Sequence, residues 1–400
     1  MADIIAEPCE SLDLRMVKAR TDRLRAYVET ADYAGCDPYD ALNSPFLRTL
    51  SSRSKWLRIA CTQFLRRCPL NLRTILDVRK GHNPKSIGLF LWGYARLYCA
   101  EEKPEYRERI EYLLDLLERL RSEGWSGNCW GYNFDWQNRT MWTPRYTPTI
   151  VNSAFIGHAL LDTYLLGHVD RALDMAVGIK DFLCHDLIRH EEEDRLCFSY
   201  TPLDDENYVH NANFLGASLL IRLYRICGDS MLETLALASL KYGLHDQRSD
   251  GAWHYAQMNP GRYVDSFHTG FNLQALQYFI REGYGSHCQY QHDLGLRYYV
   301  DHFFLPDGAA KYYDNKVFPI DIHSLCQAVV VLSDPLAGQT ELSERVLHWM
   351  LRHMWSSKGY FYFRQGRFYT NKIPYMRWSQ AWAFHALTSY LYNRTQDGIA

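Results

Sequence analysis

Apolar and polar positions along this chain fall into two helical textures. One is amphipathic. Over 106–122, Ile110, Leu113, Leu114, Leu117 and Leu120 share one face and charged residues cover the other, as in a helix half in water. The second is apolar nearly all round. Val151, Ala154, Phe155, Ile156, Ala159, Leu160 and Leu161 leave no wet face over 150–166, which predicts a helix buried among others. The two textures recur in pairs: 172–184 with 213–226, 232–244 with 270–280, 288–304 with 323–332, and 342–354 with 378–392. Each apolar run follows a loop rich in glycine and aromatics and a polar anchor. The anchors are Asn83, Thr149, His210, His268, His323 and Arg377, spaced 54 to 66 residues apart. That period fits one helical hairpin per repeat. A buried helix that its own hairpin cannot cover requires the hairpins to close round a common centre. The pattern therefore predicts an all-α (α/α)6 toroid with its anchors converging at one end. Small residues such as Ala212, Gly216, Ala217, Ala381, Ala383 and Ala386 allow the inner helices to approach closely.

The N-terminal segment fits the repeat less well. Leu12, Leu14, Val17, Leu24 and Val28 predict a helix over about 10–30. A turn-rich loop follows over 35–45, then a second helix from Trp56 to Phe64. Residues 1–80 read as a cap or a seventh, partial hairpin, and 81–400 as one integrated toroid domain.

Composition narrows the function. With 400 residues and 47% hydrophobic content, the chain can bury one large core. A net charge of −2 supplies no global field for nucleic acid or an anionic membrane. No apolar run approaches the ~18 residues of a membrane span, and the N-terminus lacks the basic-then-apolar pattern of a secretory signal. The eleven cysteines include no C-x-x-C pair, and Cys99, Cys227 and Cys326 have apolar neighbours. They read as buried thiols of a cytoplasmic protein. In that compartment the sequons at Asn138 and Asn393 are not glycosylated. No Walker loop, G-x-G-x-x-G or zinc spacing is present, so neither a cofactor nor a metal is expected. The oligomeric state is left open.

The rim loops carry the candidate chemistry. Trp130 and Tyr132 in Gly124–Trp136, Tyr200 after Phe198, and Trp253 in Asp250–Tyr255 belong to aromatic clusters of the kind that stack on sugar rings. Polar clusters open the inner helices: His210, Asn211 and Asn213; Asp265, His268 and Asn272; Asp321 and His323; Arg377 and Trp378. Asp265, Ser266, Asn211 and Asp321 are also good helix caps. Two chemistries compete. Proton abstraction beside a sugar carboxylate needs a His or Tyr base and Arg or Asn to hold the enolate charge. His210, His268 and Tyr200 are the candidate bases, Arg377 and Arg145 the carboxylate grips, and Asn211 and Asn213 the enolate donors. Hydrolysis instead needs two carboxylates, with Asp135 and Asp265 the first pair and Asp204, Asp314 and Asp321 in reserve. Imidazoles and neutral donors outnumber glutamates at the anchors, which favours β-elimination or C5 epimerisation of a uronate-containing glycan.

The repeat, with Asp250-Gly-Ala-Trp253 and the helix-opening His268-Thr-Gly270, resembles the six-hairpin glycosidase-like group and the toroid polysaccharide lyases over most of 80–395. The resemblance implies a carbohydrate substrate and a cleft of Asn, His, Tyr and Arg, for which Tyr200, His210, Asn211, Asn213, His268 and Arg377 match in type. Two readings of other classes stand beside it. Gln247–Trp253 is similar to the Q-W motif of triterpene cyclases, although their D-x-D-D acid motif is absent and Asp204-Asp205-Glu206 does not replace it. A toroid can also bind glycans without catalysis. The unsaturated-glucuronyl hydrolases' paired aspartates have no obvious counterpart.

Overall fold

The computed structural model describes residues 12–139, 141–203 and 208–396. Thr140 of the first sequon and the acidic cluster Asp204, Asp205 and Glu206 lie outside the described residues. Six helices form a closed inner ring: α4 (Pro84–Glu101), α6 (Ile150–Gly167), α9 (His210–Cys227), α11 (Ser266–Phe279), α13 (Ile322–Leu332) and α15 (Trp382–Gln396). Each packs on the next, and α15 returns to α4. An outer layer backs them. It comprises α1 (Leu14–Thr30), α5 (Pro104–Arg119), α7 (Asp170–Val177) with the short α8 (Ile179–Asp181), α10 (Ser230–His245), α12 (Gly285–Phe303) and α14 (Thr340–His353). The architecture is the (α/α)6 toroid. No helix among the described residues is long and apolar enough to cross a membrane.

The N-terminal segment divides. Helix α1 lies against α15 and takes the sixth outer position. The short helices α2 (Pro45–Ser51) and α3 (Lys55–Arg67) sit above, with a small core of Ala41, Leu47, Leu65 and Val78.

Close packing of the inner ring rests on its small residues. A Cβ at Gly88 would stand 2.8 Å from Ile156 Cγ1 and 3.3 Å from its Cα, and one at Gly270 would stand 2.6 Å from Gln327 Cγ. Neighbouring backbones therefore approach where a side chain has been omitted.

One end of the ring is built by loops. The hairpins β1–β2 (Trp136–Gln137, Trp142–Thr143) and β3–β4 (Arg189–Glu192, Arg195–Phe198) cover part of it. A four-stranded antiparallel meander covers another: β5 (Lys311–Tyr313), β6 (Lys316–Asp321), β7 (Arg364–Gln365) and β8 (Thr370–Asn371). A helix leaves its first N–H groups without intrahelical partners, and here several find one in the next loop. Ile150 N–H donates to Tyr200 O at 3.1 Å, His210 N–H to Tyr255 O at 3.2 Å, and Ile322 N–H to Phe363 O at 3.1 Å. Each aromatic is thereby held at the mouth of the ring beside a helix start.

Candidate active site

The anchors do two jobs. Asn83 and Thr149 cap α4 and α6 through their side chains. In α11 and α13 the cap is the preceding aspartate: Asp265 accepts from His268 N–H at 3.0 Å and Asp321 from His323 N–H at 2.9 Å. Both histidines are thereby freed to present their rings. Helix α9 has no side-chain cap. Arg377 lies in a wide turn, Met376–Ala381, that leads into α15.

Three of the anchors, His268, His323 and Arg377, border a cleft of about 250 Å³ at the N-terminal ends of the inner helices. It is lined by His268, His323, Arg377, Trp378, Tyr132, Tyr200 and Asn211 from the expected set. Phe267 ties them together. Its ring centroid is 4.1 Å from that of His268, 4.5 Å from His323 and 5.7 Å from Trp378. Among the described residues, none lining the cleft is an aspartate or glutamate.

The two imidazoles differ in setting. His268 Nδ1 is 2.7 Å from Asp265 Oδ2. The carboxylate accepts its N–H, which leaves Nε2 as the nitrogen available to a ligand. His323 is buried, stacks on Phe267 at 18°, and has no hydrogen-bond partner on either ring nitrogen. Burial pushes its pKa well below the usual imidazole range, and the charges of Lys85, Arg377 and His268 push the same way. It is a neutral ring with unspent polar atoms.

The cations are arranged with equal asymmetry. Arg377 donates from Nε to Asp37 Oδ2 at 2.6 Å and from Nη2 to Oδ1 at 2.8 Å. Its remaining Nη1 is uncommitted by that fork. The guanidinium lies 5.1 Å from the Tyr132 ring centroid. Lys85, in the first turn of α4, is 3% exposed, and its Nζ sits 4.1 Å from the Phe155 centroid and 5.3 Å from those of Phe271 and Trp382. Burial, and then Arg377, hold its pKa well below that of a solvated lysine, with Asp37 opposing. The Tyr132 and Tyr200 hydroxyls interact with each other. Burial raises both phenols, Tyr200 well above its ordinary value. Tyr200 is therefore a proton donor near neutral pH rather than a base.

Other expected residues are placed elsewhere. His210 has both nitrogens engaged, Nδ1 at 2.8 Å from His254 O and Nε2 at 2.9 Å from Asp246 Oδ2, and does not line the cleft. Asn213 is a strut: its Oδ1 accepts from Phe198 N–H and Ser239 Oγ–H, and its Nδ2 donates to Ser239 O. Asn272 is buried one helical turn below His268 with Oδ1 unpartnered. Trp130 and Trp253 are core wedges donating to Leu117 O and Gly243 O. Arg145 is exposed on the rim, and Asp135 accepts its backbone N–H and pairs with Arg48 at 3.5 Å. Asp265 and Asp321 are spent. Besides its cap, Asp321 takes both Arg364 and the Trp378 indole N–H. Asp314 accepts from the Tyr298 hydroxyl.

Sequence reasoning passed over Lys85, Arg66, Tyr39 and Asp37. A signal for Lys85 was present, since it is a charged residue in the first turn of an apolar inner helix, two positions after an anchor.

Solved structures share this architecture. A cellobiose 2-epimerase from Bacillus thermoamylovorans aligns over 80% of this chain and 90% of its own, with a TM-score of 0.61 and 13% identity. A GH76 α-mannanase from Bacteroides thetaiotaomicron covers the same shares at a TM-score of 0.59 and 13% identity. A D-mannose isomerase matches 78% of this chain and 87% of its own, at 0.59 and 12%. At such identity the likeness is one of fold. No protein-family model matches the chain, and no curated protein matches it in sequence.

Proposed function

We propose that the protein is a carbohydrate-active enzyme that moves a proton at a sugar carbon, by β-elimination or C5 epimerisation of a uronate-containing glycan. One observation carries the reading. Two imidazoles with different hydrogen-bond partners and a buried arginine surround an aromatic cleft with no carboxylate among its described lining residues. In this scheme Arg377 Nη1 holds the uronate carboxylate, which acidifies the neighbouring C5–H. His268 Nε2 takes that proton, and Asp265 stabilises the imidazolium that forms. Arg377 and the Asn211 amide hold the charge developing on the enolate. Elimination then expels the C4 substituent, with the Tyr200 hydroxyl protonating the leaving oxygen. Epimerisation instead returns a proton to C5 from the opposite face, donated by the Tyr200 hydroxyl, which water then reprotonates.

Hydrolysis is less well supported, because Asp135 and Asp265 are both committed away from the cleft. A second reading is proton transfer at C2 of a reducing-end sugar. It uses the same imidazole pair, and the epimerase and isomerase among the structural neighbours favour it. One experiment separates these readings. The protein is incubated with a panel of polyuronates and reducing disaccharides in deuterated water, followed by ultraviolet absorbance, reducing-end assay and NMR. Elimination gives a conjugated C4–C5 double bond, and epimerisation gives deuterium at C5. Deuterium at C2 supports the second reading. New reducing ends with neither signal would overturn the proposal in favour of hydrolysis.

A further inference from the structure

The inserted helix α3 ends in Arg66, which lines two cavities at once: the central cleft and a neighbouring one of about 280 Å³. The neighbour is also walled by Arg67, Phe363, Arg364, Tyr369 and Asn371. Arg66 differs from the paired arginines nearby. Arg377 is paired with Asp37, Arg364 with Asp321 and Arg73 with Asp40, at 2.6, 2.6 and 2.7 Å. Arg66 has no carboxylate within 4.0 Å among the described residues. Its Nε is buried without a hydrogen-bond partner. The guanidinium rests 4.9 Å from the Tyr39 ring centroid and interacts with the Tyr312 hydroxyl. Asp321 and the Tyr39 and Tyr312 hydroxyls support the charge at longer range, and the direct anion position on this half-buried guanidinium is left to a ligand. Planar guanidinium donors suit a carboxylate in particular.

We infer that Arg66 and the cavity beside it form a second acid-recognising subsite, so that the substrate carries a carboxylate on the sugar unit next to the reacting one. This rests on the reading of the central cleft as a uronate site. It makes the substrate class a run of consecutive uronates rather than a neutral glycan with an isolated acid. It also gives the N-terminal insertion a role in specificity, since α3 delivers the recognising side chain.

The test reads binding, not turnover. Calorimetry measures wild type and Arg66→Gln with tetramers of galacturonate, mannuronate, guluronate and glucuronate, with their methyl esters, and with the corresponding monomeric methyl glycosides. The best acidic tetramer binds wild type at least ten-fold more tightly than its ester. Arg66→Gln weakens that tetramer about ten-fold, changes its ester by less than two-fold and weakens the monomer, which does not reach the second cavity, by no more than about three-fold. Arg66→Lys keeps the charge and most of the acid preference; it carries the comparison should the glutamine variant not fold. The inference is overturned if no acidic tetramer outbinds its ester, if neither substitution alters tetramer binding, or if monomer and tetramer lose equally. If the Arg66 effect holds while the reaction proves to be neither elimination nor epimerisation, the subsite stands and the catalytic reading falls.

Discussion

Three histidines buried in the inner ring should make this fold sensitive to mild acid. His158, His323 and His385 each have a pKa held well below the ordinary imidazole value, with burial the largest cause. Their surroundings agree with a neutral ring. Arg222 donates to His158 Nδ1 at 3.0 Å while Nε2 meets Ser218 Oγ, with Asp162 nearby; Arg96 donates to His385 Nδ1 at 3.0 Å; His323 faces Lys85 and Arg377. In the unfolded chain each titrates near pH 6.5. As pH falls below that value the unfolded chain binds protons the folded chain refuses, so stability falls, until the folded pKa is reached. Between pH 7.5 and 5.5 each group forfeits about 1.4 kcal/mol, and the three together about 4 kcal/mol. Against a total on the order of 5–15 kcal/mol that is a large share. Lys85 acts with the same sign, over a window opening near pH 10.4 and closing at its lowered folded value. With a urea m-value of roughly 3 kcal/mol/M or more for a chain this long, the unfolding midpoint should drop by about 1 M across that range. His323→Phe, which keeps an aromatic between Phe267 and Trp382, should remove about a third of the slope. A midpoint that holds or rises between pH 7.5 and 5.5 would refute the reasoning, as would a slope untouched by His323→Phe.

Three further outcomes follow from the same geometry. Asp265→Asn keeps a good helix cap but removes the carboxylate from His268 Nδ1. Melting temperature should move little, while kcat on a turned-over uronate substrate falls by about 10²–10⁴; an unchanged kcat would remove His268 from the proton transfer. Asp37→Asn strands the buried Arg377 charge and should cost about 3–5 kcal/mol in denaturant unfolding, with part recovered in Asp37→Leu/Arg377→Met; a double variant as weak as the single one would show that the pair's charge is not the cause. Gly88→Ala gains about 1 kcal/mol of helix propensity but drives a Cβ to 2.8 Å from Ile156. An overpacking cost of about 1–3 kcal/mol should win, and a raised melting temperature would contradict the close approach of α4 and α6.

The ring was legible because burial leaves a periodic trace. An inner helix has no wet side, so 150–166 could be told from the striped 106–122 without knowing any contact. The site was legible only in part. His210 and His268 occupy the same repeat position, and spacing cannot separate them. The difference lies in the residues before them. Asp265 caps α11 and leaves His268 one free nitrogen, whereas Val209 offers no side-chain cap and Asp246, distant in sequence, takes His210. Trp130 and Trp253 sit in loops of the same composition as Tyr132 and Tyr255, and loops carry no period to say which ring turns inward. Arg66 and Lys85 were hidden for another reason. A basic residue near a helix end is ordinarily solvated, and chain segments that arrive from far away in sequence bury Lys85 and half-bury Arg66.

Closure and chemistry use the same contacts. The first loop meets the last inner helix through Asp37 and Arg377, 340 residues apart, and Met376 N–H donates to Cys36 O at 3.1 Å beside them. Asn371, at the end of β8, donates to Cys68 O at the end of α3. A ring of hairpins has one seam, where its chain ends meet, and packing alone specifies that seam least because no short loop joins the two sides. Here the seam is held by a buried, bidentate ion pair whose geometry tolerates little displacement. The same guanidinium forms the wall of the cleft, in contact with Tyr132 and Trp378. Arg377 is therefore oriented by ring closure rather than by its own helix, and the cleft is complete only when the ring is. The arrangement also explains why α3 rides on this seam rather than elsewhere on the rim. It is the place where an insertion reaches the central cleft without interrupting a hairpin.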